Sequence, residues 1–184
     1  MLAVQRDNAE AFETLFRKYI GQVVRFAVPF VGSQARAEEV AQDAFLQVLS
    51  TRRRYQPRAR FATFLFRIVT NLCLSEARRA EHRVMARSSG RTRSGDEAPD
   101  PVEMAVDASS RTGEENVLVK ERVDKMRQAL KRLPAQQRAA ILLARVDGFS
   151  YDEVARSLGC SVAAVKSLIH RATVTLRDQL REVQ

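Results

Sequence analysis

Twenty-nine consecutive residues in the middle of this chain lack any aromatic side chain and are rich in Ser, Gly, Pro and Asp: ARSSGRTRSGDEAPDPVEMAVDASSRTGE, residues 86–114. Such a stretch buries too little apolar surface to offset the entropy lost on ordering. It reads as a flexible linker and constrains the fold strongly. What flanks it, residues 1–85 and 115–184, must fold as two small units, each with room for a shallow core.

Charge follows the same division. The first segment carries a net +6, the linker −2 and the last segment +5, within a chain of net charge +9. Two basic units on a slightly acidic tether favour a polyanion, either nucleic acid or an anionic surface. No signal peptide is visible and no apolar run approaches the roughly 20 residues that span a bilayer. A cytoplasmic protein without membrane insertion is expected.

Both units read as helical, so the expected fold class is all-α. Phe12, Leu15, Phe16, Tyr19, Val23, Phe26 and Phe30 recur at three- and four-residue spacing and form one apolar stripe. Pro29 should end or kink that helix. Ser33 is placed to cap a second helix with Ala37, Val40, Ala41, Ala44, Phe45 and Val48 facing inward. A third runs from about Phe61 to Arg83, with Phe64, Leu65, Ile68, Leu72 and Cys73 inward. The second unit divides into segments near 115–132, 134–147, 150–158 and 161–182. Pro134 suits a first turn, Ser150-Tyr151-Asp152-Glu153 is a capping box, and Gly159 ends the helix that the box begins.

The motif that carries function is SYDEVARSLGCSVAAVKSLIHRA, residues 150–172. A short helix, a Gly-Cys-Ser turn and a longer basic helix follow one another. Ala155 is small where two helices cross, Gly159 makes the turn, and Val165 returns to the shared core, which is the spacing of a DNA-binding helix-turn-helix. Ser161 caps the second helix. With Val162, Val165, Ile169 and Ala172 inward, Lys166, Ser167, His170 and Arg171 point outward, where they reach base edges and phosphates. A helix-turn-helix alone does not separate a repressor from an initiation factor.

The chemistry of catalysis is missing from the sequence. There is no Gly-rich phosphate loop, no nucleophile beside a base and no metal-ligand cluster. Cys73 and Cys160 fall in apolar stretches and read as core thiols; His82 and His170 have no ligand neighbours. No cofactor, metal or enzymatic activity is expected.

Taken together, the two ends resemble the extracytoplasmic-function (ECF) group of bacterial sigma factors, within the sigma-70 superfamily. EEVAQDAFLQVL, residues 38–49, resembles the group's helix that docks on RNA polymerase. FATFLFRIVTNLCLSEARR, residues 61–79, is similar to its promoter-melting segment, and residues 130–172 to its promoter-reading domain. The resemblance implies that the first unit opens the minus-10 element and the second binds the minus-35 duplex. It implies core RNA polymerase and promoter DNA as partners, and an anti-sigma factor as a further one.

By position, Asn71 corresponds to the residue that captures a flipped minus-10 base, a task for an amide at a pocket rim. Tyr55 stacks on an unpaired base or packs in the core. Arg52, Arg53, Arg54, Arg58, Arg60 and Arg67 would hold phosphates of the open strand. Glu38, Glu39, Gln42 and Asp43 form an acidic face that a basic polymerase surface would complement. Asp96, Glu97, Asp100, Glu103 and Asp107 suit a tether lying in a basic channel.

The sequence departs from the group's pattern in three places. Phe64 stands where Trp is usual. Leu168 replaces an arginine after Ala164-Val165-Lys166-Ser167, and Thr173 replaces a later one. Two lost cations weaken phosphate contacts or change which promoters are read.

Overall fold

In a computed structural model, which describes residues 1–57, 59–88 and 113–181, every regular element among the described residues is helical. The first half consists of α1 (Leu2–Gln5), α2 (Ala9–Val31), α3 (Gln34–Thr51), a 3₁₀ turn at Arg52–Arg54 and α4 (Phe61–Ser88). The second consists of α5 (Gly113–Arg132), α6 (Ala135–Ile141) with a π-helical turn at Leu142–Val146, α7 (Tyr151–Leu158) and α8 (Val162–Arg181). The linker residues expected to lie in the polymerase channel are outside the described residues.

The caps set the helix starts. Asn8 Oδ1 accepts the Ala11 N–H at 2.8 Å to begin α2, and Ser33 Oγ accepts the Arg36 N–H at 3.2 Å to begin α3. Pro29 does not end α2. The helix continues to Val31 and stops at Gly32, whose φ of 81° is left-handed and whose N–H bonds Val28 O at 2.9 Å. Proline forbids a backbone bond to the residue four before it, not the next half-turn, and glycine adopts the terminating conformation without a Cβ penalty.

Ala37, Ala41 and Ala44 of α3 are wholly buried, so α3 lies close against α2 and α4. Phe45 closes the gap edge-on to Phe16, ring centroids 4.8 Å apart. On α4 the buried residues are Thr63, Leu65, Phe66, Val69, Thr70, Cys73 and Ala77, while Phe64, Ile68 and Leu72 are half-buried. Of the five residues expected inward, Leu65 and Cys73 are buried and Phe64, Ile68 and Leu72 are half-buried. Helix α4 is covered on two sides, by α2 and α3 on one and by α7 on the other, and a helix buried on two sides has no single apolar stripe.

The two helical halves do not stand apart. Buried side chains from both form one cluster, in which Phe66 meets Phe26 at 5.4 Å and Phe149 at 5.1 Å between ring centroids, while Ala129, Leu133, Ile141, Ala172 and Leu176 form a second within the later half. At the same junction Arg138, 8% exposed, donates to Pro29 O at 2.8 Å.

Asp147 lies half-buried between the π turn and α7, and burial pushes its carboxyl up to about 6, countered by the charge of Arg25 on α2. The folded chain keeps this proton where the unfolded chain has already released it. The ionisation cost is absent below the ordinary aspartate range, grows as pH rises toward 6, and is fully present above it. Asp147→Asn should stabilise the protein at pH 7.5 by about 1 kcal/mol, after discounting for solvent screening of a half-buried group. Urea unfolding at pH 4 and pH 7.5 checks this: the gain should vanish at the lower pH.

Candidate nucleic-acid interface

The helix-turn-helix forms as its residues dictate. Ser150 Oγ accepts the Glu153 N–H at 3.3 Å while Glu153 Oε2 accepts the Ser150 N–H at 3.0 Å, closing the capping box. Gly159 has φ 64° and ψ 36°, and its N–H bonds Ala155 O. Ser161 Oγ then accepts the Ala164 N–H at 3.2 Å to start α8. Val165, Ile169 and Ala172 are buried, Val162 is half-buried, and Ser161, Lys166, Ser167, His170 and Arg171 are all exposed. Spacing extends this outer stripe to Arg177, also exposed, four residues beyond Thr173 and seven beyond His170. That arginine was missed, though the same periodicity would have found it.

The first half presents a second surface along α4. Asn71 and Arg67, one turn apart, are both exposed. Phe64 lies one further turn toward the N-terminus, and Tyr55 meets its ring edge-on at 4.9 Å. Phe61 adjoins Phe64 at 6.4 Å and Tyr19 at 5.4 Å. These four aromatic rings are half-buried and form one partly open apolar surface. Sequence reasoning found Tyr55 but not Tyr19 or Phe61 in this role, because they sit on the core stripes of their helices.

The arginines differ in availability. Arg53 and Arg60 have side chains 78% and 84% exposed, and Arg54 is exposed too. Arg52 is held: its Nε donates to Asp7 Oδ1 at 2.8 Å and its Nη1 to Leu49 O at 2.8 Å. The Arg52 hydrogen bond, with its charge, holds the Asp7 carboxyl below the usual range. Arg52 thus ties the 3₁₀ turn to the N-terminal segment. Arg58 lies outside the described residues.

The third surface is the outer face of α3. Glu38, Glu39, Gln42 and Asp43 are all exposed. Gln34 Nε2 donates to Glu38 at 2.9 Å, and Arg36 pairs with Glu39 and, at 3.1 Å, with Glu76. Leu46, one turn after Gln42 and Asp43, is 62% exposed. An apolar side chain beside an acidic stripe is a common core of a protein contact; the sequence reading assigned Leu46 no role.

No group of three or more potential metal ligands occurs among the described residues, and burial pushes the Cys73 thiol up to about 12. Cys160 is free and half-buried, so only Cys73 fits the expectation of a fully buried thiol. No helix among the described residues is long and apolar enough to cross a membrane.

A helical protein with an ordered helix-turn-helix, an aromatic and arginine-rich second surface and a separate acidic face belongs among the transcription proteins. The family model described as "Sigma-70 region 2" matches residues 15–83, and that described as "Sigma-70, region 4" matches residues 124–176. RNA polymerase sigma factor CarQ of Myxococcus xanthus is 31% identical over 180 residues, covering 97% of this chain and 95% of CarQ. ECF RNA polymerase sigma factor SigE of Mycolicibacterium smegmatis is 34% identical over 171 residues; the match covers 92% of this chain but only 62% of SigE. The sigma factor RpoE of Bartonella quintana, solved with the anti-sigma factor NepR, shares the fold at a TM-score of 0.70 and 22% identity, covering 94% of this chain and 98% of RpoE. The chain belongs to the sigma-70 family, in its extracytoplasmic-function branch. That family consists of transcription initiation factors, not enzymes.

Proposed function

We propose that this chain binds core RNA polymerase and directs it to promoters by touching DNA at two places. The observation that carries this reading is the coexistence of two nucleic-acid surfaces of different chemistry. The outer face of α8 offers long polar side chains at helical spacing, suited to a duplex major groove. The α4 surface offers half-open aromatic rings with an amide and arginines, suited to unpaired bases and a single strand. A repressor needs the first and not the second.

In this reading residues 1–85 read and open the minus-10 element, residues 86–114 form the tether, and residues 115–184 bind the minus-35 element. Asn71 receives a flipped base. Tyr55, with Phe64 and Phe61, supports unstacked neighbours. Arg53, Arg54, Arg60 and Arg67 hold phosphates, joined by Arg58, while Arg52 acts mainly on the fold. Lys166, Ser167, His170 and Arg171 contact the upstream duplex, Ser161 caps their helix near the phosphates, and Arg177 extends the stripe. Glu38, Glu39, Gln42 and Asp43, with Leu46, dock on the polymerase. The setting is the cytoplasm, where polymerase and chromosome meet. An anti-sigma protein is the expected antagonist, as the solved relatives RpoE with NepR and CnrH with CnrY carry one.

The two surfaces should separate by mutation. Asn71→Ala should lower promoter opening about tenfold, measured by permanganate reactivity of the melted strand, with polymerase association unchanged. Arg171→Ala should weaken binding to upstream duplex by roughly 1–3 kcal/mol and leave melting chemistry intact once bound. Equal loss of both activities in either variant would sink the assignment of that residue.

A further inference from the structure

Two side chains from residues 1–8 reach across to the segment that joins α3 to α4. Gln5 Nε2 donates to Tyr55 O at 2.6 Å. Two nitrogens of Arg52 converge on Asp7 Oδ1: Nε donates to it at 2.8 Å and Nη2 lies 2.6 Å away. The other Asp7 oxygen is 3.9 Å from Arg53, whose side chain stays exposed.

The residues that make these contacts are themselves held. Val4 is 2% exposed, and α1 lies against both α2 and the 3₁₀ turn. The Asp7 N–H bonds Val4 O at 3.1 Å, and the Asn8 N–H bonds Ala3 O at 3.2 Å. Between α1 and α2 the chain turns at Asp7, whose φ of 59° is left-handed. Glycine makes such a turn without a Cβ penalty. Aspartate tolerates it better than most side chains and adds a carboxylate. Here that carboxylate meets Arg52, so one residue makes both the turn and the ion pair.

The segment on the other side needs such support. Residues 55–60 join α3 to α4 with no regular secondary structure among those described. The Tyr55 N–H bonds Arg52 O at 3.2 Å, its carbonyl is the one that Gln5 holds, and its ring stands edge-on to Phe64 at 4.9 Å. Arg52 is anchored a second time, on Leu49 O at 2.8 Å. Arg52 and Tyr55 are thus both fixed from residues 1–8, while Arg53 and Arg54 between them remain exposed. A ring that receives a base works within a narrow range of positions, and a loop keeps that range only when other groups lock it.

We propose that Gln5 and Asp7 are positioning residues for promoter opening: they set the place of Tyr55, and with it the aromatic surface that takes up unpaired bases, without touching DNA themselves. The proposal rests on the sigma-factor reading above, in which Tyr55 supports an unstacked base. Asp7 also sorts the run of arginines. Its carboxylate occupies Arg52 and leaves Arg53 and Arg54 for phosphates.

The test uses the full chain with core polymerase, on a promoter recovered by transcription from genomic fragments. Gln5→Glu keeps the size of the side chain, removes the donor and sets a carboxylate against the Tyr55 carbonyl. It should lower permanganate reactivity of the melted strand about five- to tenfold, the low end of what one base–aromatic stack contributes. Association with core polymerase should stay within about twofold, since the α3 face is untouched. Asp7→Gly keeps the left-handed turn, loses the carboxylate and should act likewise; Asp7→Asn, which keeps an acceptor, should recover most of the loss. Combined with Tyr55→Ala, neither Gln5→Glu nor Asp7→Gly should lower opening further, because residues that act through one ring do not add. Should Gln5→Glu lower the melting temperature by more than a few degrees, Gln5→Met, which keeps the stem and lacks the donor, takes its place. Unchanged opening in the Gln5 and Asp7 variants, or losses that add to that of Tyr55→Ala, would overturn the positioning role. Tyr55→Ala opening as well as wild type, or a wild type that does not associate with core polymerase, would instead overturn the functional reading, and the positioning role with it.

Discussion

Reversing the outer face of α3 with Asp43→Arg and Leu46→Glu should weaken association with core polymerase at least a hundredfold. Both side chains are exposed, so neither substitution disturbs the packing of α3 on α2 and α4, and the melting temperature should stay within a few degrees. Leu46 contributes about 1.5–2 kcal/mol if its side chain is fully covered by the partner. Reversing a charge that faces a basic surface contributes a comparable amount through lost attraction and new repulsion. The sum, about 3–4 kcal/mol, corresponds to a loss of some hundred- to several-hundredfold. Fluorescence titration of labelled protein with core polymerase measures it. Unchanged affinity would move the docking surface off α3.

Replacing Phe66 by alanine should lower stability by about 3–4 kcal/mol. This ring is 1% exposed and sits between Phe26 of α2 and Phe149 of the second half. Its removal leaves a cavity lined from both sides, and α4 cannot collapse toward one without leaving the other. For a chain of this size the loss corresponds to about 10 °C in melting temperature. A shift of only a degree or two would mean that Phe66 is not a junction between two packed layers.

How far the sequence reveals the fold depends on how many sides of a helix are covered. Helix α3 buries one face, and all six residues expected inward, Ala37 through Val48, are buried. Helix α8 behaves the same way, so its outward residues were legible as well. Helix α4 buries two faces, and Phe66, Val69, Thr70 and Ala77 escaped notice because burial on two sides erases the period. Local hydrogen bonding was legible wherever it was local: Ser33, Ser150 and Ser161 cap where their spacing says. The role of Arg138 was not, since its partner Pro29 is 109 residues away and offers a carbonyl, which every residue has. Arg52 was misjudged for a related reason. A run of three arginines looks uniform in sequence, yet Arg52 hydrogen-bonds Asp7 and Leu49 O at the end of α3, whereas Arg53 only approaches Asp7 at 3.9 Å.

The surfaces of function divide similarly. Exposed polar residues on α3, α4 and α8 follow from period and from family resemblance together. Leu46 lies off the inward face of α3 and received no role from its spacing alone, and Tyr19 and Phe61 were missed because half-buried rings serve packing and stacking at once.

Transcription from fragmented genomic DNA with purified core polymerase, with and without this chain, tests the central claim most directly. The 5′ ends that depend on the protein should map downstream of a shared pair of elements held at constant spacing, and they should disappear with Asn71→Ala. Ends scattered without a common upstream pair, or identical with and without the protein, would contradict it.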